Sequence, residues 1–387
     1  MFRPFITAAF LLTAALPVNA FETSATAAYV YDLTTGTVLL SKNANEPLPP
    51  ASMSKLMTLY VTFEAIKRGQ LRMTDELAVS SHANSYGGST LFLRTGERVS
   101  VEDLVRGVIV LSGNDACVVI AEALSPDGSE KGFAKMMTVR ARELGMKNST
   151  FINSNGWPAT GHSMSMKDLG ILATRLIEDF PEFYPMFAET EFLFDANESA
   201  NRYNRNPLLK LGIGADGLKT GHTKEAGYGL TGSAQQDNRR IVFVVSGLES
   251  AANRAQETEA IVNWAFRQFV ERTLAKQGQR ITAASVWEGG EPTVGLVPAK
   301  DISILLPVIS NKSVTAEVVY TGPIHAPIIA GTPLAELVLQ PEGLPEQRFV
   351  LVAENDVVHG GFLAKISTAA KALINQIKNK PMEKSGA

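Results

Sequence analysis

Ser52 and Lys55 stand three residues apart in Pro49-Pro50-Ala51-Ser52-Met53-Ser54-Lys55, at the head of an apolar stretch of helical period. Side chains at that spacing share one face of a helix. A serine hydroxyl becomes a nucleophile when a base takes its proton. A lysine can be that base if burial and nearby positive charge keep its amine partly neutral. A helix start adds free backbone N–H groups. Taken alone, the pair reads as a capping serine and a surface lysine, because Ser-x-x-Lys arises by chance in most chains of this size. A second polar element, Ser112-Gly113-Asn114, separates the apolar run Val108 to Leu111 from the apolar run Ala116 to Ala123. Its hydroxyl can relay a proton and its carboxamide can bind a carbonyl while fixing a lysine; alone it is an interhelix turn. The third element, Gly217-Leu218-Lys219-Thr220-Gly221-His222-Thr223, supplies a cation, a hydroxyl donor and a glycine that lets backbone approach closely. An edge strand of this kind can pair with an extended peptide and aim an N–H at a developing oxyanion, though a Lys-Thr-Gly triplet by itself is commonly just a turn.

In this chain order, Ser-x-x-Lys at 52, Ser-x-Asn at 112 and Lys-Thr-Gly at 219 form the set used by penicillin-binding proteins and class A β-lactamases. The sequence closely resembles the low-molecular-mass penicillin-binding proteins that are serine-type D-alanyl-D-alanine carboxypeptidases. The likeness extends through Asp32-x-x-Thr-Gly36, Lys42-Asn43-Ala44-Asn45, Glu102-Asp103-Leu104, Ser112 to Cys117, Asp216 to Thr223 and Arg254-x-x-Glu257. The resemblance implies that Ser52 attacks the carbonyl between the two terminal D-alanines of a peptidoglycan stem pentapeptide, with Lys55 as base. It implies an oxyanion held by the N–H groups of Ser52 and His222, proton transfer to the leaving D-alanine through Ser112 and Lys219, and a terminal carboxylate on Arg254 and Thr220. It also places Asn114 on the substrate amide and Gly221 in the substrate-binding strand. β-Lactams would acylate Ser52 as covalent inhibitors. Residues 115 to 218 lack the Glu-x-x-Leu-Asn stretch with which class A β-lactamases activate water, so slow turnover of penicillin is expected. Ser54 stands where the family more often has threonine. His162 lies in a loop that matches the family loosely and either orders that loop or touches substrate. DD-endopeptidase action on cross-links, a β-lactamase and a non-catalytic wall-binding scaffold are the alternatives.

Ala27 to Asp32 and Thr37 to Ser41 read as a hairpin about Thr34-Thr35-Gly36, and Tyr228 to Ala234 with Arg240 to Leu248 as a second. Helical periods run over 53–68, 101–125, 131–144, 165–178 and 252–273. Strands at both ends with helices between them predict an α+β domain in which the terminal hairpins share one sheet. The resemblance makes this the penicillin-binding/β-lactamase-like transpeptidase fold, an antiparallel sheet with helices. After about 278 short β runs separated by Gly, Pro and Asn predict a small all-β domain. The domains expected are a signal peptide over 1–20, a catalytic domain over 21–278, a small β-sandwich-like domain over 279–359, and an amphipathic tail over 360–387.

The ends and the composition bound the setting. One arginine, an apolar run and Val18-Asn19-Ala20 read as a secretory signal peptide, the run being shorter than a bilayer span needs. An exported protein at the outer face of the bacterial cytoplasmic membrane, in the periplasm, is therefore expected. Residues 360–387 carry five lysines and one glutamate. Phe362, Ile366, Ala369, Leu373, Ile374 and Ile377 share one helical face opposite Lys371 and Lys378. Such a helix either lies in a membrane surface or packs on the protein. With 36 basic against 39 acidic residues the chain has no basic excess for phosphates, which argues against nucleic acid as a partner. The single cysteine, Cys117, forms no internal disulfide and reads as a small buried apolar residue. No metal-ligand spacing is present, so neither a metal nor a cofactor is expected. His82, His325 and His359 have no constellation about them in sequence and read as surface residues.

Overall fold

The computed structural model describes residues 21–194, 201–308, 314–341 and 343–361. The signal-peptide reading of 1–20 and the amphipathic-helix reading of the tail lie outside the described residues. Two strands open the chain, β1 (Ala27–Asp32) and β2 (Thr37–Lys42). A 3-10 turn, Ala51–Ser54, leads into α1 (Lys55–Lys67). There follow β3 (Glu76–Ala78), α2 (Ser81–Asn84), β4 (Arg98–Ser100), α3 (Val101–Arg106), α4 (Asn114–Leu124), α5 (Glu130–Glu143) and α6 (Met166–Asp179). The segment closes with β5 (Ala215–Thr223), β6 (Gly227–Gln236), β7 (Arg239–Leu248) and α7 (Ala251–Gln268).

The five long strands form one antiparallel sheet in the order β2-β1-β7-β6-β5. The two terminal hairpins thus share a sheet, and β5, which carries Lys-Thr-Gly, is an edge. Strand alternation divides the sheet's side chains between two cores. Ala27, Tyr29, Val242 and Val244 face the helical cluster of α1, α4, α5 and α6. Ala28, Val30, Ile241, Phe243 and Val245 face Ile261, Val262 and Ala265 of α7. Helix α1 is buried on nearly every side, Leu56, Met57, Leu59, Tyr60 and Phe63 being at most 1% exposed. Its apolar residues therefore encircle it instead of forming a stripe. Five helices begin on a serine, Ser80, Ser100, Ser129, Ser165 and Ser250, whose hydroxyl accepts the backbone N–H three residues on.

The expected helix over 101–125 is broken. Helix α3 passes into a π-helical turn, Gly107–Leu111, and ends at Ser112 with φ 63° and ψ 35°, before α4 starts afresh at Asn114. Leu91 packs into this break and requires glycine on both sides of it: a Cβ on Gly113 would sit 2.2 Å from its Cδ1, and one on Gly107 2.3 Å from its Cδ2. The helical period over 252–273 also stops early. Residues Phe269–Ala275 form a strand, β8, because Phe269 and Ala275 have a partner to pack against in β11 (Ile302–Pro307).

Beyond β8 the chain is all β. Strands β9 (Thr282–Trp287), β10 (Thr293–Pro298), β12 (Thr315–Val319), β13 (Ile324–His325), β14 (Pro333–Gln340) and β15 (Gln347–Ala353) form a sheet in the order β12-β14-β15-β10-β9-β13. Its core gathers Ala284, Val286, Val294, Leu296, Ile304, Leu337 and Leu351. Arg239 joins this part to the five-stranded sheet: its Nε meets Asp32 at 2.5 Å and its Nη1 donates to the Phe269 carbonyl at 2.9 Å. Gln347 Nε2 donates to Thr37 Oγ1 at 2.7 Å.

Candidate active site

The site lies where edge strand β5 meets the 3-10 turn that carries Ser52. Their approach requires a glycine at 221, since a Cβ there would stand 2.9 Å from the Pro50 carbonyl oxygen. The turn is pressed from its other side by the loop at 153–157. Gly156, at φ 81°, lies so close that a Cβ would reach within 1.9 Å of the Ala51 oxygen.

Lys55 is fully buried, and its Nζ makes three contacts: Ser52 Oγ at 2.8 Å, Asn114 Oδ1 at 2.7 Å and the Asn155 carbonyl at 2.6 Å. Burial, helped by the Arg205 guanidinium, brings the amine from 10.5 down to about 8, against the pull of Asp115. That displacement corresponds to about 3 kcal/mol in favour of the neutral form. Lys219 is also buried, and its Nζ has a long contact, 3.4 Å, to the Thr220 carbonyl. Burial first, then Lys55, Arg205 and Arg254, hold its amine well below the usual lysine range. The two amines repel, so protonating one disfavours protonating the other.

Asn114 is committed on both sides: its Oδ1 accepts from Lys55, and its Nδ2 donates to the Gly87 carbonyl at 2.8 Å. One amide hydrogen is left for the cleft. The 87–93 loop is tied down by Asp115, whose carboxylate accepts from the N–H groups of Leu91 and Leu93. Asn114 N–H adds a bond to the Ser89 carbonyl at 2.7 Å. Ser112 is 2% exposed, and among the described residues its hydroxyl has no hydrogen-bond partner. It is held by the left-handed backbone at the end of the π turn, a conformation that costs a non-glycine residue about 1–3 kcal/mol.

Arg254, in the first turn of α7, is 8% exposed, lies 5.8 Å from the Tyr228 ring centroid, and has a buried Nε without a partner. Its Nη2 reaches the Arg205 carbonyl at 3.4 Å. Tyr228 in turn stacks on His222 with centroids 3.9 Å apart. Arg205 is a residue the sequence motifs do not reveal; its Nη1 donates to Ser89 Oγ at 2.5 Å. Among the described residues neither arginine is paired with a carboxylate, and burial lowers both from the usual arginine range. A cleft of about 280 Å³ opens beside them, lined by Ser52, Ser89, Asn114, Asn155, Trp157 and His222 among others. Ser52, Lys55 and Asn114 are thus joined by direct bonds. Ser52, Asn114 and His222 line the cleft. Lys219, Thr220 and Arg254 are buried in its vicinity, and Ser112 is not bonded to either amine.

His162 does not reach the cleft that holds Ser52. Its Nδ1 accepts from Ile152 N–H at 3.3 Å, which leaves the proton on Nε2, and that nitrogen lies 2.8 Å from Ser54 Oγ. Burial and Lys55 bring it to about 4, so the ring is neutral at ordinary pH and ties the loop to the Ser52 turn. His82 is exposed, as a surface residue should be, but it does not stand alone. Its Nε2 lies 2.9 Å from Glu130 Oε2, which also accepts from Tyr86 OH at 2.8 Å. Glu130 Oε1 accepts from the N–H and Oγ of Ser154 at 2.9 and 2.6 Å, so this buried carboxylate anchors the loop that carries Asn155. Cys117 is buried and free, its thiol pushed up to about 12 by burial.

Comparison with known proteins matches residues 13–250 to the family model described as D-alanyl-D-alanine carboxypeptidase, and residues 269–359 to the C-terminal domain of penicillin-binding protein 5. The chain is 36% identical over 342 residues to the D-alanyl-D-alanine carboxypeptidase DacF of Bacillus subtilis, spanning 88% of this chain and 87% of that protein. Penicillin-binding protein 5 from Haemophilus influenzae superposes with a TM-score of 0.78 at 31% identity, covering 88% of this chain and 100% of that one. Penicillin-binding protein D2 from Listeria monocytogenes, solved in its ampicillin-bound form, matches with a TM-score of 0.57 at 31% identity, over 63% of this chain and 98% of that one.

Proposed function

The chain belongs to the D-alanyl-D-alanine carboxypeptidase family and is a serine-type enzyme of that activity, and on that premise we propose that Ser52 is its nucleophile and Lys55 the base. The observation that carries this assignment is the set of three contacts at Lys55 Nζ. A neutral amine has two N–H donors and one lone pair. Asn114 Oδ1 and the Asn155 carbonyl use the donors, which leaves the lone pair facing the Ser52 hydroxyl. The Ser52 oxygen then attacks the carbonyl between the two terminal D-alanines of a stem pentapeptide as its proton passes to Lys55.

The backbone N–H groups of Ser52 and His222 receive the developing oxyanion, β5 being an edge whose outward N–H groups have no strand partner. As the tetrahedral species collapses, the C–N bond breaks and the departing amine takes a proton through Ser112 from the Lys55 and Lys219 pair. D-Alanine leaves, and water releases the tetrapeptide from Ser52. The terminal carboxylate is held by Arg254 and Thr220, with Arg205 as a second guanidinium at the same end. Gly221 lets the turn that carries Ser52 close onto β5, along whose edge the peptide backbone lies. β-Lactams present a strained amide to the same serine and acylate it. We place the protein in the periplasm, with the basic tail resting on the anionic outer surface of the cytoplasmic membrane.

Labelling with a fluorescent penicillin tests the nucleophile. Wild type is expected to become covalently labelled and Ser52→Ala to stay dark; equal labelling of both removes Ser52 from the mechanism. Release of D-alanine from diacetyl-Lys-D-Ala-D-Ala by wild type tests the activity itself.

A further inference from the structure

A second cavity of about 330 Å³ adjoins the cleft of Ser52 and shares Gly156, Trp157, Pro158, Thr223 and Glu225 with it. It continues under Pro49 and Pro50 toward Ala159 and Thr160, so its walls are mostly apolar. Among the described residues that line it, Glu225 is the one charged side chain. His162, the other titratable group there, is kept neutral by burial. Lys224 lines the cleft but not this cavity. Glu225 is exposed, and among the described residues it accepts no hydrogen bond and forms no ion pair. It stands in the short β5–β6 turn, which is fixed by the bond from Ala226 N–H to Thr223 Oγ1 at 3.0 Å.

The direction of the substrate follows from the charges along β5. Arg205 and Arg254 lie beside Lys219 at one end of the site and both lower its proton affinity, and Arg205 also lowers that of Arg254. A carboxylate belongs there, and the leaving D-alanine carries one. Going from Lys219 toward Thr223 the strand advances about 3.3 Å per residue, past the Ser52 turn at Gly221. The acyl half of the peptide must therefore run toward Thr223, Trp157 and Glu225. Resting on the carboxypeptidase reading, we propose that this second cavity is the subsite for the side chain of the residue preceding the two D-alanines, and that Glu225 selects a side chain ending in a primary ammonium. Trp157, 44% exposed, and Pro158 offer an apolar wall to its methylenes, and the Glu225 carboxylate meets the charge.

The test compares two substrates that differ at one atom group, Nα-acetyl-Lys-D-Ala-D-Ala with a free ε-amine and diacetyl-Lys-D-Ala-D-Ala, by D-alanine release at low ionic strength. The readout is the ratio of the two kcat/KM values within each protein. Because Glu225 is solvent-exposed, wild type is expected to favour the free amine by about two- to fivefold. Glu225→Gln should bring the ratio to about one, and Glu225→Lys should invert it. High salt should erode the wild-type preference. No preference in wild type, or a preference that survives in Glu225→Gln, overturns the subsite while leaving the carboxypeptidase reading intact. Release of D-alanine from neither substrate overturns that reading and the subsite with it.

Discussion

Acylation of Ser52 should follow the protonation of Lys55. With the amine at about 8, roughly a tenth of the molecules carry it neutral at pH 7, whereas a free lysine at 10.5 would be neutral in roughly one molecule in three thousand. Burial therefore raises the reactive fraction about 300-fold. The neutral amine takes the serine proton, so the rate rises with pH. The second-order rate constant for acylation by a fluorescent penicillin, read from quenched time points by in-gel fluorescence, should fall about tenfold per pH unit below 7 and level off above about 9. His162 at about 4 and Cys117 at about 12 do not titrate in that window. Lys55→Arg provides the matched control, because a guanidinium stays charged at any usable pH. It should lose acylation by at least about a thousandfold, with no recovery at pH 10. A wild-type rate that is flat from pH 6 to 9, or that has its midpoint near 10.5, would refute Lys55 as the base.

Arg254→Ala and Arg205→Ala should each lower kcat/KM for D-alanine release by about 10- to 100-fold through the lost charge-assisted bonds to the carboxylate; steady-state kinetics on a tripeptide measures this. Glu130→Ala strands the Ser154 N–H and the hydroxyl of Tyr86 and should cost about 2–4 kcal/mol in urea unfolding. It should also slow penicillin acylation, because Asn155 loses its support, and Glu130→Gln should recover part of both. Gly156→Ala should destabilise by about 2–4 kcal/mol, its Cβ meeting the backbone of Ala51 at a positive φ. Deleting residues 360–387 should move the protein from the membrane fraction to the soluble one with D-alanine release preserved; persistence at the membrane would refute the surface anchor.

The parts of the site that were legible in sequence share a property: their chemistry depends on residues close together along the chain. Ser52 and Lys55 fall on successive turns, and Lys219, Thr220 and Gly221 occupy consecutive places on one strand, so type and spacing carry the signal. Asn155 is different. It serves Lys55 through its backbone carbonyl, an atom every residue possesses, and no residue type announces it. Arg205 lies in the polar run Asn204-Arg205-Asn206, which looks like loop until Asn206 Nδ2 is seen on the Gly217 carbonyl at 2.9 Å. That bond sets Arg205 beside β5, and it is made across the fold. The hairpins were readable from alternation, whereas β14 was not, because Leu-Ala-Glu-Leu favours a helix locally and becomes a strand through pairing with β12 and β15.

The carboxylates nearest the site do not neutralise its cations. Asp115 is spent on the N–H groups of Leu91, Leu93 and Ala116. Glu130 is spent on Ser154, Tyr86 and His82. Lys55, Lys219, Arg205 and Arg254 are left gathered around a cleft with burial lowering all four. Pairing them internally would stabilise the fold, yet it would raise the Lys55 amine toward its ordinary value and occupy the guanidiniums that a carboxylate needs. The acids instead fix backbone, so that the geometry around Ser52 is rigid while its electrostatics stay open. An anionic ligand completes the arrangement, and the free energy withheld from folding is recovered on binding.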